Sequence, residues 1–273
     1  MRDRITITLK KEIVKEVDKI INHLTIRNRS HAIEYLLTKM LSKYQVDSAL
    51  ILAGGSNEGF KNSSNHKSMQ FVKGRPILEN IVLLLKERGI KKFVFSCDYM
   101  ADQIMKHFSD GRKFGVEIKY VVSEKPQGRA LAIKSARNHF DKTFLVWYGD
   151  TLCKFDLSDM IRTHSDTKAL ATIALTTVSN PLNYGVVKMK GNRIRDFVEK
   201  PKKRMAESFL VSSGIFLAEP EIFKYINSKM KSLELDLFPK LAKKNLLIGY
   251  PFEGLWLNVN DKNELQKANT LWK

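Results

Sequence analysis

The sequence predicts an α/β protein in two parts. A short arm of one strand and two helices spans residues 1–44, and a larger domain built on a mostly parallel sheet with helices on both faces spans residues 48–273. Three observations predict it. The apolar period changes from two to a helical spacing within the first 24 residues, short apolar runs beyond Asp47 alternate with helical patterns, and several of those runs end in glycine.

In the arm, Ile5-Thr6-Ile7-Thr8-Leu9 alternates strictly, placing Ile5, Ile7 and Leu9 on one face and Arg4, Thr6 and Thr8 on the other. Ile13, Val14, Val17, Ile20, Ile21 and Leu24 then follow helical spacing, which predicts a helix over about residues 11–24. Asn28-Arg29-Ser30 interrupts it, with Ser30 as the expected N-cap of a second helix carrying Ile33, Leu36, Leu37, Met40 and Leu41 to about Tyr44. A unit this small cannot bury so much apolar surface alone, and its strand has two open edges. Two copies paired about a two-fold axis remove both problems, as a two-stranded ribbon over four helices. Such a ribbon fits the major groove, so Arg4, Thr6 and Thr8 are expected to read the bases of double-stranded DNA. The backbone N–H groups near Ser30, with Arg27 and Arg29, are expected to hold a phosphate.

Beyond Asp47, Ala49-Leu50-Ile51-Leu52-Ala53 reads as a buried strand ending in Gly54-Gly55. Phe93-Val94-Phe95-Ser96 is another, and Phe144-Leu145-Val146-Trp147-Tyr148 a third, ending in Gly149-Asp150. Helical patterns lie between them over residues 77–87 and 130–138. In sheets of this kind ligands bind beyond the carboxyl ends of the strands, where the two glycine-containing turns fall.

The chain carries 47 Lys and Arg against 29 Asp and Glu, a net charge of +18, which suits a polyanionic partner. Two cysteines exclude a disulfide framework, and Cys97 and Cys153 have no spacing partners for a metal site. No apolar stretch approaches a membrane span, so a soluble, cytoplasmic protein is expected.

Two resemblances sharpen the functional expectation. In Arg4-Ile5-Thr6-Ile7-Thr8-Leu9 and Asn28-Arg29-Ser30 the arm resembles the ribbon-helix-helix family, which implies DNA binding by a homodimer. The larger domain resembles the sugar-1-phosphate nucleotidyltransferases. It does so in Leu52-Ala53-Gly54-Gly55, Lys67, Gly74-Arg75-Pro76-Ile77-Leu78-Glu79, Gly149-Asp150, Tyr184-Gly185, Glu199-Lys200-Pro201, Ser213-Gly214-Ile215-Phe216 and Leu255-Trp256-Leu257, in the family's order. This implies a Rossmann-like α/β/α fold and attack by a sugar phosphate on the α-phosphate of a nucleoside triphosphate. It also implies roles for single residues: Ala53, Gly54, Gly55 and Gly128 on the nucleotide, Gly185, Glu199 and Lys200 on the sugar phosphate, Lys67 and Asp150 in catalysis, and Asp150 with Asn258 on Mg²⁺.

The sequence departs from that family's pattern where the triphosphate is held. After Gly54-Gly55 it reads Ser56-Asn57-Glu58-Gly59-Phe60, so Glu58 stands for the usual threonine and Gly59 for the usual arginine. Asn258 replaces the second metal-binding aspartate, which removes one negative charge and weakens a Mg²⁺ site. His66 precedes Lys67 in place of proline, and Arg129 stands where a smaller or neutral residue is usual. The erosion implies a DNA-binding transcriptional regulator, whose transferase-like domain binds a nucleotide, sugar phosphate or nucleotide sugar as effector with little or no catalysis. The alternative is an active Mg²⁺-dependent sugar-1-phosphate nucleotidyltransferase with an appended arm.

Overall fold

The computed structural model describes residues 5–61, 63–202 and 208–273, so Arg4 lies outside the described residues. The chain divides into two compact units, Met1–Gln45 and Val46–Lys273.

The small unit holds α1 (Lys11–Lys19) and α2 (Arg29–Lys43). Residues 5–10 form neither helix nor strand, so the expected ribbon strand is not made within one chain, where that segment has no edge to pair with. α1 stops short of Leu24 because Asn22 takes the backbone for itself: its Oδ1 accepts the N–H groups of Leu24, Thr25 and Ile26. The cap of α2 is Asn28 rather than Ser30, since the Asn28 Oδ1 accepts the His31 N–H at 2.9 Å and the helix begins at Arg29. Val17 and Ala32 are buried, whereas Ile5, Ile7, Ile13, Leu24, Leu37 and Met40 stand exposed.

The larger unit opens with β1 (Ser48–Leu52), β2 (Phe71–Val72), β3 (Arg75–Pro76) and α3 (Ile77–Glu87). β4 (Lys92–Cys97), α4 (Ala101–Phe108), β5 (Glu117–Val122) and α5 (Arg129–Ser135) follow, then β6 (Phe144–Tyr148), β7 (Thr151–Lys154) and α6 (Leu157–Thr167). The remainder is β8 (Ala171–Thr177), β9 (Gly185–Lys190), β10 (Arg193–Glu199), β11 (Leu210–Ala218), α7 (Phe238–Lys243), β12 (Leu247–Pro251), β13 (Leu255–Asn258) and α8 (Lys262–Leu271).

A nine-stranded sheet runs in the order β5-β4-β1-β6-β11-β8-β12-β10-β9. β5, β4, β1 and β6 are mutually parallel, as the strand–helix alternation predicts. The second half is mixed: β11 runs antiparallel to both β6 and β8, and β9 and β10 form an antiparallel hairpin turned at Gly191 and Asn192. The expectation of a mostly parallel sheet therefore holds only for the first half. A two-residue turn can join only antiparallel neighbours, which is what the Lys190-to-Arg193 spacing dictates.

Both faces of the sheet are covered. Alternate residues of β1 enter opposite layers, Ala49 and Ile51 joining Ile77, Phe93, Phe95 and Trp147 on one side, and Leu50 and Leu52 joining Phe144, Val146, Phe216 and Leu241 on the other. Each such large side chain contributes about 1.5–3 kcal/mol by leaving water, which makes the sheet a stiff platform for what its edge carries. At the carboxyl ends of β1, β4 and β6 the chain presents Gly54-Gly55, Asp98 and Gly149-Asp150 side by side.

Candidate active site

The site begins where β1 and β6 end. Gly149 is a glycine because a Cβ there would lie 3.1 Å from the Ala53 Cα, and its N–H closes onto the Leu52 carbonyl. Gly55 takes a positive φ of 94°, which turns its N–H toward the Asp98 carboxylate, 2.7 Å away. A Cβ on Gly54 would meet the same carboxylate at 2.7 Å. Asp98 thus occupies the Gly55 backbone donor of the first loop. Its place at the end of β4 was the available sign in the sequence, since ligand contacts gather at the carboxyl ends of parallel strands.

The loop after Gly55 is repacked rather than emptied. Asn57 accepts the Lys67 N–H through Oδ1 at 2.8 Å and donates from Nδ2 to the Asn65 carbonyl, so it braces the segment that carries the lysine. Phe60 is buried, and a Cβ on Gly59 would lie 1.8 Å from the Asn260 carbonyl oxygen. No side chain of any kind fits at residue 59 in this packing.

Lys67 follows the buried His66, whose Nδ1 contacts the Ser68 hydroxyl at 2.6 Å. Burial, and next the neighbouring Lys67 charge, push the His66 imidazole down to about 4 from an ordinary 6.5, so it stays neutral. The Lys67 Nζ reaches the Asp150 Oδ2 at 2.6 Å, with side chains 16% and 6% exposed. Burial alone would raise the Asp150 carboxyl, but the charge and hydrogen bond of Lys67 hold it below the ordinary carboxylate value.

A cavity of about 450 Å³ opens over Gly54, Gly55, Lys67, Asp98, Gly128 and Asp150. A smaller one of about 130 Å³ is lined by Gly185, Glu199, Lys200, Trp256, Asn258 and Asn260, among others. Arg129, Tyr148, Asp150 and Glu234 line both. The residues expected on the nucleotide and those expected on the sugar phosphate therefore lie on two adjoining hollows with a common wall. Lys67 lines the larger. Ala53 is buried behind its rim and contributes through the turn it forms.

In the smaller cavity Gly185 is required by close packing, a Cβ there meeting the Phe197 ring at 2.4 Å and the Glu199 Oε2 at 3.1 Å. Lys200 takes a φ of 44° and donates its N–H to the Tyr184 carbonyl, which fixes the strand end that carries Glu199. Burial, then the nearby Glu234 charge, raise the Glu199 carboxyl above its ordinary value.

Glu234 is the residue that sequence reasoning missed most completely. It accepts from the Arg129 Nη1 at 2.9 Å, the Tyr148 hydroxyl at 2.7 Å and the Ser232 hydroxyl at 2.9 Å, and the Arg129 guanidinium lies 4.4 Å from the centre of the Tyr148 ring. Burial works against the charge on both partners. Even so, Arg129 holds Glu234 below its ordinary value, while Tyr148 and Glu234 hold Arg129 above its own.

Two partners in the β13–β7 ladder, Asn258 and Thr151, place the Asn258 amide beside Asp150, whose carbonyl accepts the Val259 N–H at 2.8 Å. Asp261, three residues beyond Asn258, caps α8, its Oδ1 accepting the Glu264 N–H. Among the described residues no group of three or more His, Cys, Asp or Glu is gathered for a metal. Asp150 and Asn258 nevertheless offer hard oxygen donors of the type Mg²⁺ takes. That ion commonly uses one or two carboxylates together with substrate phosphates and water, so the donors fit one that arrives with a nucleotide.

The comparisons with known proteins follow this geometry. The family model described as Nucleotidyl transferase matches residues 48–272. A UTP–glucose-1-phosphate uridylyltransferase of Synechocystis is 34% identical over 77% of this chain and 59% of that protein, and mannose-1-phosphate guanyltransferase beta-B of Xenopus laevis is 28% identical over 79% and 62%. The chain thus spans about three-fifths of the length of these relatives. Among solved structures, a putative glucose-1-phosphate thymidylyltransferase from Bacillus anthracis superposes with a TM-score of 0.73 at 24% identity, covering 82% of this chain and 94% of that one. A UDP-glucose pyrophosphorylase solved with UDP-glucose gives 0.73 at 19%, covering 84% and 98%. These two share the fold.

These matches overturn the expectation of a DNA-binding transcriptional regulator that keeps a transferase pocket only for sensing. The relatives named here are metabolic transferases, and none of them is described as binding DNA. Arg29, expected on a phosphate, is forked onto Asp18 at 2.7 and 2.8 Å, and Ser30, Thr6 and Thr8 are exposed on a unit without a ribbon strand. Among the described residues no helix is long and apolar enough to cross a membrane. With the model matched from the start of β1 almost to the last residue, the chain belongs to the nucleotidyl transferase family.

Proposed function

We propose that this chain is a working sugar-1-phosphate nucleotidyltransferase. The observation that carries the reading is the Lys67–Asp150 pair beside the wall that separates the two cavities. The larger hollow has room for a nucleotide over the Gly54-Gly55 turn and Gly128, and the smaller for a sugar phosphate between Glu199 and Lys200. Their substrates would meet at Asp150. A phosphate monoester is mostly a dianion at neutral pH, since its second pKa is about 6, so its oxygen attacks without a protein base. That oxygen bonds to the α-phosphorus, the bond from the α-phosphorus to the bridging oxygen breaks, and pyrophosphate leaves with the electron pair.

The protein's task is then positioning and charge neutralisation. Lys67 presents a cation to the phosphates, Lys200 meets the phosphate of the sugar, and Glu199 accepts hydrogen bonds from sugar hydroxyls. The Gly55 and Gly128 backbones admit the nucleotide closely. Asp150 and Asn258 would hold Mg²⁺, which when bound neutralises charge on the triphosphate. The test is pyrophosphate release with Mg²⁺ from UTP, GTP, dTTP, CTP or ATP paired with glucose 1-phosphate or mannose 1-phosphate. Turnover with a defined pair is expected, and no release from any pair would overturn the reading.

The arm is read as a self-association element. The exposure of Ile5, Ile7, Leu24, Leu37 and Met40 supports pairing with a second copy, because isolated apolar groups at this density leave a small unit short of core.

A further inference from the structure

The loop after Gly55 has glycine at residue 59, where the resembled family has arginine, and packing admits no side chain there, since a Cβ would sit 1.8 Å from the Asn260 carbonyl oxygen; Glu58 adds an acid in the same turn. Lys67 is partly neutralised by Asp150. A second cation stands across the cavity. Arg129 opens α5, immediately after Gly128, and its side chain is 47% exposed, into the two cavities whose wall it shares. It is firmly aimed: Glu234 holds its Nη1, the Tyr148 ring lies beneath it, and Glu234 is itself fixed by Tyr148 and Ser232. A guanidinium has five N–H donors in a rigid fork. One is committed to Glu234, which leaves the others for an anion. The remaining cation that lines the larger cavity is Lys231, whose carbonyl accepts the Ala130 N–H.

We propose that Arg129 is the arginine that binds the reacting phosphates in this chain, replacing the loop arginine that Gly59 cannot be. It stands at the seam of the two cavities, beside Asp150, where the α-phosphate of a nucleotide and the phosphate of a sugar would both lie. The charge has thus moved from the loop to the start of α5. Glu234 and Tyr148 are its positioning residues, because a planar fork discriminates only when its plane is held. The proposal rests on the nucleotidyl-transfer reading.

The test is calorimetry on the full chain in buffer with EDTA, so that no divalent ion contributes. The probes are UMP, GMP, dTMP, CMP and AMP, each with its matching nucleoside. Wild type, Arg129→Ala, and the double variant Arg129→Gln with Glu234→Gln are compared, each checked for an unchanged melting transition. Affinity for the nucleoside monophosphate that wild type prefers is expected to fall about tenfold or more in both variants, as for loss of a charge-assisted hydrogen bond, with the matching nucleoside bound as before. Recovery of affinity in the double variant would overturn the proposal, because the single change would then have acted through an unpaired Glu234. Equal losses for nucleotide and nucleoside would also overturn it, by showing that Arg129 only shapes the pocket, as would an undiminished affinity. If wild type binds none of these probes, the transferase reading falls and takes this proposal with it. Weak binding in the variants alone leaves that reading standing.

Discussion

The small N-terminal unit and the larger domain draw on the same apolar residue types with opposite results. In the domain Leu50, Ile51, Leu78 and Phe144 have no exposed surface, while in the small unit Leu24 is 83% exposed, Ile5 79% and Leu37 56%. Size explains the contrast, because a unit of some 45 residues has too little interior to cover its own apolar groups. Polar contacts differ in the same way. The Asp18–Arg29 fork lies on the surface, where ion pairs contribute little, whereas Lys67–Asp150 and Arg129–Glu234 are set against a packed sheet that fixes their directions. The domain can aim a charge; the small unit leaves its apolar groups in water.

That contrast can be broken most decisively at the buried pair. Asp150→Asn is expected to lower kcat for pyrophosphate release by on the order of 10²–10³-fold, in line with removal of a preorganised charged group. A fall of less than about tenfold would mean that the packed platform does not set the chemistry. Next in size is acid sensitivity. His66 has an ordinary value of 6.5 and a folded value of about 4, so between those values the unfolded chain takes up the proton first. Its contribution to stability is complete above about pH 6.5 and is lost as pH falls toward 4, on the order of 3 kcal/mol in all. His66→Asn should flatten that part of the stability–pH curve in denaturant titrations. A curve parallel to wild type would show that the imidazole is not shielded.

Gly59→Ala is expected to lower stability by about 2 kcal/mol, because the added carbon must push the Asn260 carbonyl aside. Chemical unfolding at a neutral midpoint would reveal it, and an unchanged midpoint would show the loop to be looser than its packing. The smallest effect on the domain belongs to the small unit. Leu36→Glu with Leu37→Glu should reduce the mass seen by light scattering while nucleotide affinity stays within about twofold. A change in affinity with no change in mass would contradict the separation drawn here.

Much of the domain was legible because its signals are local. The period of Ile77–Glu87 gave α3 its bounds, and the apolar runs gave β1, β4 and β6 to within a residue. Gly54-Gly55, Gly149-Asp150 and Glu199-Lys200 marked the strand ends that line the cavities. The antiparallel β11 was not legible, since pairing direction is set by distant partners rather than by the strand's own pattern. The same holds for Glu234, which lies 105 residues from the arginine it holds and has no local mark of its role. α1 was overextended because the apolar spacing continues through Asn22, whose side chain prefers the backbone of the next turn. In the small unit the alternation of Ile5, Ile7 and Leu9 fits a strand pattern, yet residues 5–10 form no strand in the single chain, because a strand needs a partner edge that a pattern cannot supply.

The close approach of Gly59 to Asn260 bears on how such a protein can change over time. An arginine placed at residue 59 would meet the backbone carbonyl of Asn260, in a segment two hundred residues away, so accommodating it requires two distant regions to alter together. A single substitution at residue 59 therefore cannot place a cation in this loop; only coupled changes in both segments can.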